Sequence, residues 1–244
     1  MRVSPLPAVT RYTPAERRVI AGLRTPRAVQ RFLNQTAYND EPKGATLKSF
    51  REVARQKNVH CLEAALFAAG VLEHHGYPPL LLSFESIDQL DHVLFIYQEQ
   101  GRWGAIARSR DPGLHGREPV YRTLRQLAAS YMAPFIDSSG EVTAFSPYDL
   151  RDLEGCDWRF SPRNVWKLER TLLTIPHARL KWTRSRVRAE RARYKAFKKA
   201  HPELKPLWYA GKATWSELPR AFVSSLGANG LTRHTAGLRF SPEP

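Results

Sequence analysis

The sequence predicts an α+β protein: a cysteine-bearing helix packed on an antiparallel sheet, followed by a basic helical C-terminal extension. Three observations predict it. Cys61 opens an almost wholly apolar run to Leu72, and a run that long and apolar all round reads as a buried helix. A continuous apolar strand, Leu80–Phe84, and two further strands, His92–Tyr97 and Arg102–Ala107, come next. Charge is segregated: residues 159–244 hold 19 of the 38 Lys and Arg but 5 of the 23 Asp and Glu, so they carry +14 of the formal +15.

The elements follow in order. Residues 1–12 read as irregular. Thr13-Pro14-Ala15-Glu16 is a helix start, with a Thr cap, Pro at the first helical position and acid in the first turn; the helix runs to about Leu23. Thr25-Pro26 repeats the signal, with Val29, Phe32 and Leu33 as its apolar stripe. Asn39–Gly44 is a loop, and Ser49–Ala54 a short helix or turn turning Phe50 and Val53 inward. The Cys61 helix continues to about His75. Gln98–Gly101 reads as a four-residue hairpin loop. Ser109–Pro119 is a loop, Val120–Met132 a helix, and 134–166 mostly loop. Asn164–Leu173 is a short helix and Ile175–Ala200 a longer one, with Leu180, Val187, Tyr194 and Phe197 as a narrow stripe. Beyond Pro202, Trp208, Tyr209, Trp215 and Phe222 stand as aromatic anchors in Pro/Gly-punctuated chain.

Composition excludes several classes. No run approaches the roughly 18–20 apolar residues of a membrane span, and Met1–Thr13 lacks the apolar stretch of a secretory signal. Two cysteines, Cys61 and Cys156, argue against a disulfide framework and for a cytoplasmic setting. No Cys/His cluster with ligand spacing is present, so no metal or other cofactor is expected.

The chemistry centres on Cys61 and His92. With Asn58 as cap, Cys61 falls in the first helical turn, where free N–H groups and the positive dipole end favour thiolate and can stabilise an oxyanion. The side-chain amide of Gln56 is a second candidate oxyanion donor. A histidine at the head of a following strand supplies the base. An imidazole needs a third group to fix its tautomer. Pairing Tyr97 with Arg102 places Ala107 opposite His92, with Ser109 and Asp111 at the right parity beyond it. Read singly, a cysteine in an apolar helix is a core residue and a histidine at a strand end a structural one. Glu63 reads as solvated or salt-bridged, and Cys156 as structural.

The run Cys61–Leu82, Asp91-His92-Val93, the Gly-Arg-Trp-Gly hairpin and Arg117-Glu118-Pro119-Val120-Tyr121 resemble the transglutaminase-like superfamily, within the papain-like fold, over roughly residues 25–135. The resemblance implies a Cys–His–acid triad in which Cys61 and His92 match. Where members carry the acid, four residues after Trp103, this chain has Ala107. Asp111, Ser109 or a backbone carbonyl would then orient His92, or the site is degenerate. The implied organisation is an N-terminal segment at 1–24, a transglutaminase-like domain at 25–158 and a basic extension at 159–244.

The expected function is thiol-mediated acyl transfer on a peptide or protein amide, as a cysteine peptidase, amidase or transglutaminase-like enzyme, with hydrolysis preferred. The alternative is a catalytically degenerate binding module. Its basic segment, Arg179–Lys199, would contact nucleic acid or another polyanion.

Overall fold

The computed structural model of the chain describes residues 6–87, 92–110, 112–137, 139–200 and 202. Helix α1 (Pro14–Gly22) starts as its sequence dictates. Thr13 Oγ1 accepts from the Glu16 N–H at 3.2 Å, and Glu16 accepts from the Thr13 N–H at 2.7 Å. Thr25 caps α2 (Pro26–Gln35) by accepting from the Ala28 N–H at 3.2 Å. Strands β1 (Ala37–Tyr38) and β2 (Asn58–Val59) pair in parallel and bracket α3 (Phe50–Gln56), which Ser49 caps. Helix α4 (Cys61–Leu72) follows directly, and a 3-10 turn carries it through His75.

Six strands form the main sheet: β3 (Leu80–Ser86), β4 (Val93–Glu99), β5 (Arg102–Ile106), β6 (Arg117–Tyr121), β7 (Val142–Asp149) and β8 (Ala178–Arg179). Their order is β6-β5-β4-β3-β7-β8, and every neighbouring pair is antiparallel. Side chains alternate between the two faces with the period of a strand. Leu81, Val93, Phe95, Tyr97 and Ile106 point to the layer that contains α4. Leu82, Phe84, Leu94, Ile96 and Ala105 meet Leu127 and Ala128 of α5 (Leu124–Ala129) and Phe135 of α6 (Met132–Phe135) on the other side. The sheet is therefore covered on both faces, and the predicted α+β class with a cysteine helix on an antiparallel sheet is what the chain forms.

Gly70 lets α3 approach α4 closely. A Cβ there would come within 2.6 Å of the Phe50 ring, which is itself fully buried.

Several predicted elements differ. The hairpin pairs Tyr97 with Gly104, so Gln98 and Glu99 extend β4 and the turn is only Gln100-Gly101, both at positive φ. That is the two-residue turn whose twist suits a hairpin. The register moves by two residues, and parity is kept. Residues expected as helix from Val120 begin as β6, and the helix starts only after the Thr123 cap. The stretch expected as loop at 134–166 contains β7, the partner of β3. The long helix expected from Ile175 is a short strand, β8, and then α8 (Arg184–Ala200).

The core also ignores the boundaries expected at 24 and 158. Tyr12 and Ile20 join it from the N-terminal side. Phe160, Val165 and, on α7 (Trp166–Thr174), Leu168 and Leu172 join it from beyond 158. Trp208, Tyr209, Trp215, Phe222 and Asp111 lie outside the described residues.

Candidate active site

Cys61 is the first residue of α4 and His60 its cap. The helix thus starts later than an Asn58 cap would give; Asn58 sits in β2, where its carbonyl and side chain accept from Lys48 Nζ at 2.8 and 2.5 Å. Every residue of α4 after Cys61 is buried, whereas Cys61 stays partly exposed. The first N–H to find an intrahelical acceptor is that of Ala64, bonded to the His60 carbonyl at 2.9 Å. The N–H groups of Cys61 and Leu62 precede it and have no acceptor within the helix.

The packing of α4 on β4 brings the thiol to the head of that strand, where His92 stands. Two imidazoles, His60 and His92, act on the Cys61 thiol. Burial pushes the thiol upward. Hydrogen bonding and positive charge from His60 and His92 outweigh it and hold Cys61 well below the ordinary thiol range.

His92 is itself buried, at 3% exposure. Its Nε2 lies 2.9 Å from the carbonyl oxygen of Leu114. A carbonyl can only accept, so Nε2 carries the hydrogen in that bond and Nδ1 is the nitrogen left to face the thiol. The ring is flanked by Phe84 and Tyr131, with centroids 6.4 and 6.2 Å away.

The Leu114 carbonyl is held in place by a buried cation. Leu114 closes a 3-10 turn, Pro112–Leu114. Arg117, fully buried, donates to the carbonyls of Gly113 at 2.9 Å, His115 at 2.8 Å and Gly116 at 3.1 Å, and its guanidinium lies 4.0 Å over the Tyr131 ring. The Tyr131 hydroxyl adds a bond to the His115 carbonyl at 3.0 Å. Three carbonyls on either side of Leu114 tied to one planar fork leave the turn little freedom.

At Ala107, where the resemblance implies an acid, the backbone is clamped instead. The buried amide of Gln30 accepts from the Ala107 N–H and donates to the Ala107 carbonyl, both at 2.9 Å. The other predicted residues are placed as follows. Ser109 uses its main-chain carbonyl to accept from Arg108 at 2.6 Å and from His115 at 3.0 Å. The Gln56 amide donates to Glu52 at 3.1 Å on the exposed side of α3, which puts it to use away from the thiol. Cys156 has its thiol pushed up by burial, the opposite of Cys61. Glu63 is fully buried and accepts from Asn39, Thr46, the Lys48 N–H and the His60 N–H, with Lys48 Nζ at 3.3 Å.

The backbone carbonyl expected as one way to orient His92 is that of Leu114, while His60 and Tyr38 were not expected at the site. The Leu114 carbonyl is a main-chain atom with no residue signature. His60 followed by Glu63 just before an apolar run is a cap-like spacing from which its place could have been read. Tyr38 on β1 feels the nucleophile: burial and the charge of Cys61 push its hydroxyl up to about 12. Arg110 and Arg108 lie 5.4 and 5.8 Å over the Tyr38 ring.

No known family model matches the chain. It is similar to the mouse (Mus musculus) protein tubulinyl-Tyr carboxypeptidase 1, with 24% identity over 192 residues, 68% of this chain and 49% of the relative. The chain thus spans about half the length of that curated relative. Among solved structures it has a distant likeness to Legionella pneumophila LapG, at 16% identity and a TM-score of 0.33, covering 56% of this chain and 78% of LapG. The likeness to a carboxypeptidase fits a peptidase-like chemistry in general terms. In those terms the site has a thiol of lowered pKa at a helix N-terminus, an imidazole with a fixed tautomer, and helix N–H groups beside them.

Proposed function

We propose that the chain is a cysteine-dependent hydrolase of peptide bonds. The observation that carries this is a thiol at the start of α4 whose pKa is lowered by His92, an imidazole itself bonded to the Leu114 carbonyl. The Cys61 sulfur attacks the carbonyl carbon of the scissile amide, and the N–H groups of Cys61 and Leu62 receive the negative charge that develops on oxygen. The C–N bond breaks as His92 gives its proton to the leaving amine, leaving a thioester on Cys61. Water then attacks the thioester, loses its proton to His92, and the C–S bond breaks. The Leu114 carbonyl does the orienting work of a triad acid without adding charge. The guanidinium of Arg110, half exposed beside Tyr38, would attract a substrate carboxylate. Together with the name of the mouse relative, this makes peptides cleaved at their C-terminal residue, tyrosine-ended ones among them, the first substrates to try.

The test pairs labelling with turnover. A thiol-reactive peptide electrophile is expected to modify Cys61 stoichiometrically in folded protein, with no labelling of Cys61→Ala. Wild type should release amino acids or fragments from a peptide panel. Absence of both labelling and turnover overturns the reading.

A second reading concerns α8, where Arg184, Arg186, Arg188, Arg193, Lys195 and Lys199 are exposed. This surface supports salt-dependent binding to a polyanion. Deleting everything beyond 177 would also remove β8 and the buried Leu180. Reversing Arg184, Arg186 and Arg188 to Glu is therefore the cleaner test, with retention on a polyanion column as readout. Unchanged retention removes this reading.

A further inference from the structure

Cys61 has a second imidazole, and its surroundings differ from those of His92. His60 Nε2 lies 2.9 Å from the Thr46 carbonyl, so this ring too carries its hydrogen on Nε2, and Nδ1 is the nitrogen left for the neighbouring thiol. The likeness between the two rings ends there. His92 has a carbonyl and two aromatic rings around it. His60 has carboxylates: Glu63 Oε1 at 3.5 Å and Glu41 Oε1 at 4.0 Å.

We infer that His60 is a cationic positioning residue that holds Cys61 as thiolate by charge, while His92 moves the protons. The inference rests on the proposed thiol chemistry and assigns its two histidines different tasks.

Three features support the division. The backbone of His60 is fixed, since its N–H donates to Glu63 Oε2 at 3.1 Å and its carbonyl takes the first helical bond. The charges that face it favour imidazolium: Glu63 and Glu41 stand against one cation, Lys48, which lies 3.3 Å from the far oxygen of Glu63. Cys61 itself adds a negative charge, and Tyr38 and Arg110 lie on the side of the thiol. Burial alone would lower the His60 pKa, yet the hydrogen bond and charge of Cys61, then Glu63 and the Thr46 carbonyl, push it up to about 9.

The reaction sequence gives this arrangement a purpose. Once His92 has given its proton to the leaving amine it is neutral, and the sulfur must later depart as thiolate when the C–S bond breaks. A charged His60 stays through both steps. It donates to the sulfur and exchanges no proton with substrate, so protons still balance through His92 alone. While His92 is neutral the sulfur is held in the thioester, and when it departs His92 has already taken the proton of water, so His60 adds a second, constant positive charge beside the leaving thiolate.

The test needs no substrate: iodoacetamide alkylation of Cys61 measured from pH 4 to 10. His60→Gln is expected to raise the midpoint by about one pH unit or more, which is about tenfold less thiolate on the acid side. His60→Lys, which keeps the charge, should stay near wild type, and His92→Gln should stay below the roughly 8.5 of a free thiol. Ring 15N shifts of His60 in the wild-type protein should show both nitrogens protonated at pH 7.5, a readout that survives any folding defect of the variants. A neutral His60 ring, an unmoved midpoint in folded His60→Gln, or a His60→Lys protein that behaves like His60→Gln overturns the inference. Alkylation is independent of turnover, so a failed peptide screen leaves these outcomes readable. Conversely, an unmoved midpoint leaves the peptidase reading standing on His92 alone.

Discussion

Helices α4 and α8 are the two most distinctive in the chain, and they are opposites. In α4 every residue after Cys61 is buried, and the buried polar group within it, Glu63, is bonded on all sides. In α8 the buried side chain among the described residues is Tyr194, and nine of its 17 residues are charged. A site built on α4 depends on position, so a change of one atom group matters. A surface built on α8 depends on summed charge, so single changes matter little and salt matters a great deal.

The largest expected effect is at Cys61 itself. Cys61→Ala should lower any peptidase turnover by at least about a thousandfold, the scale of losing a covalent nucleophile, while the melting temperature stays close to wild type. Residual turnover would detach the chemistry from α4 altogether. Next comes the turn that holds His92. Arg117→Lys keeps a cation but not the fork that grips three carbonyls, so kcat should fall at least about tenfold, as when an orienting contact is loosened, with KM less affected. An unchanged kcat would mean that the Leu114 carbonyl keeps its place without Arg117.

Packing gives the third test. Gly70→Ala drives a methyl group into the Phe50 ring and should cost about 1–3 kcal/mol in chemical denaturation, the usual range for overpacking. The fourth is a pH effect in the same turn. His115 is buried beside the Arg108 and Arg117 guanidiniums, and burial, then Arg108, pushes it down to about 3. Its folded pKa lies below the unfolded value, so protons favour the unfolded chain. The contribution of neutral His115 is complete above about pH 6.5 and is lost progressively as pH falls toward 3. His115→Gln should therefore flatten the fall in melting temperature between pH 6.5 and 4. The smallest effect belongs to α8: Arg186→Ala alone should change stability by less than about 0.5 kcal/mol, as surface substitutions do. A large destabilisation there would show that α8 is part of the packed body and erase the contrast with α4.

Much of the α4 region was legible because local chemistry and tertiary role agree. Thr13-Pro14 with Glu16, Thr25-Pro26, and the apolar run from Cys61 each specify a helix by themselves. Two of the strands that were missed, β6 and β7, carry prolines. Pro119 sits in β6, the edge strand, and Pro147 in β7 just past Ala144 and Phe145, the residues paired by β8. Edges tolerate a residue that cannot donate, and only the assembled sheet reveals which strands are edges. In the site, the nucleophile and base are side chains and were found. The orienting group belongs to the main chain of Leu114, and where an acid was sought the structure has Ala107, pinned by Gln30 from a helix far away in sequence. No pattern of residue types records such contacts.

An orienting group made of backbone has a genetic consequence. Cys61 or His92 can be erased by a single codon change, but no codon change removes the oxygen of residue 114. Substitutions there can alter the path of the turn, not delete the acceptor. That acceptor also has no ionised and neutral forms, so acid cannot switch it off as it would an aspartate. The vulnerable points are the ties that shape the turn, Arg117 and Tyr131, and inactivating mutations should gather on them rather than on residue 114, whose oxygen they hold.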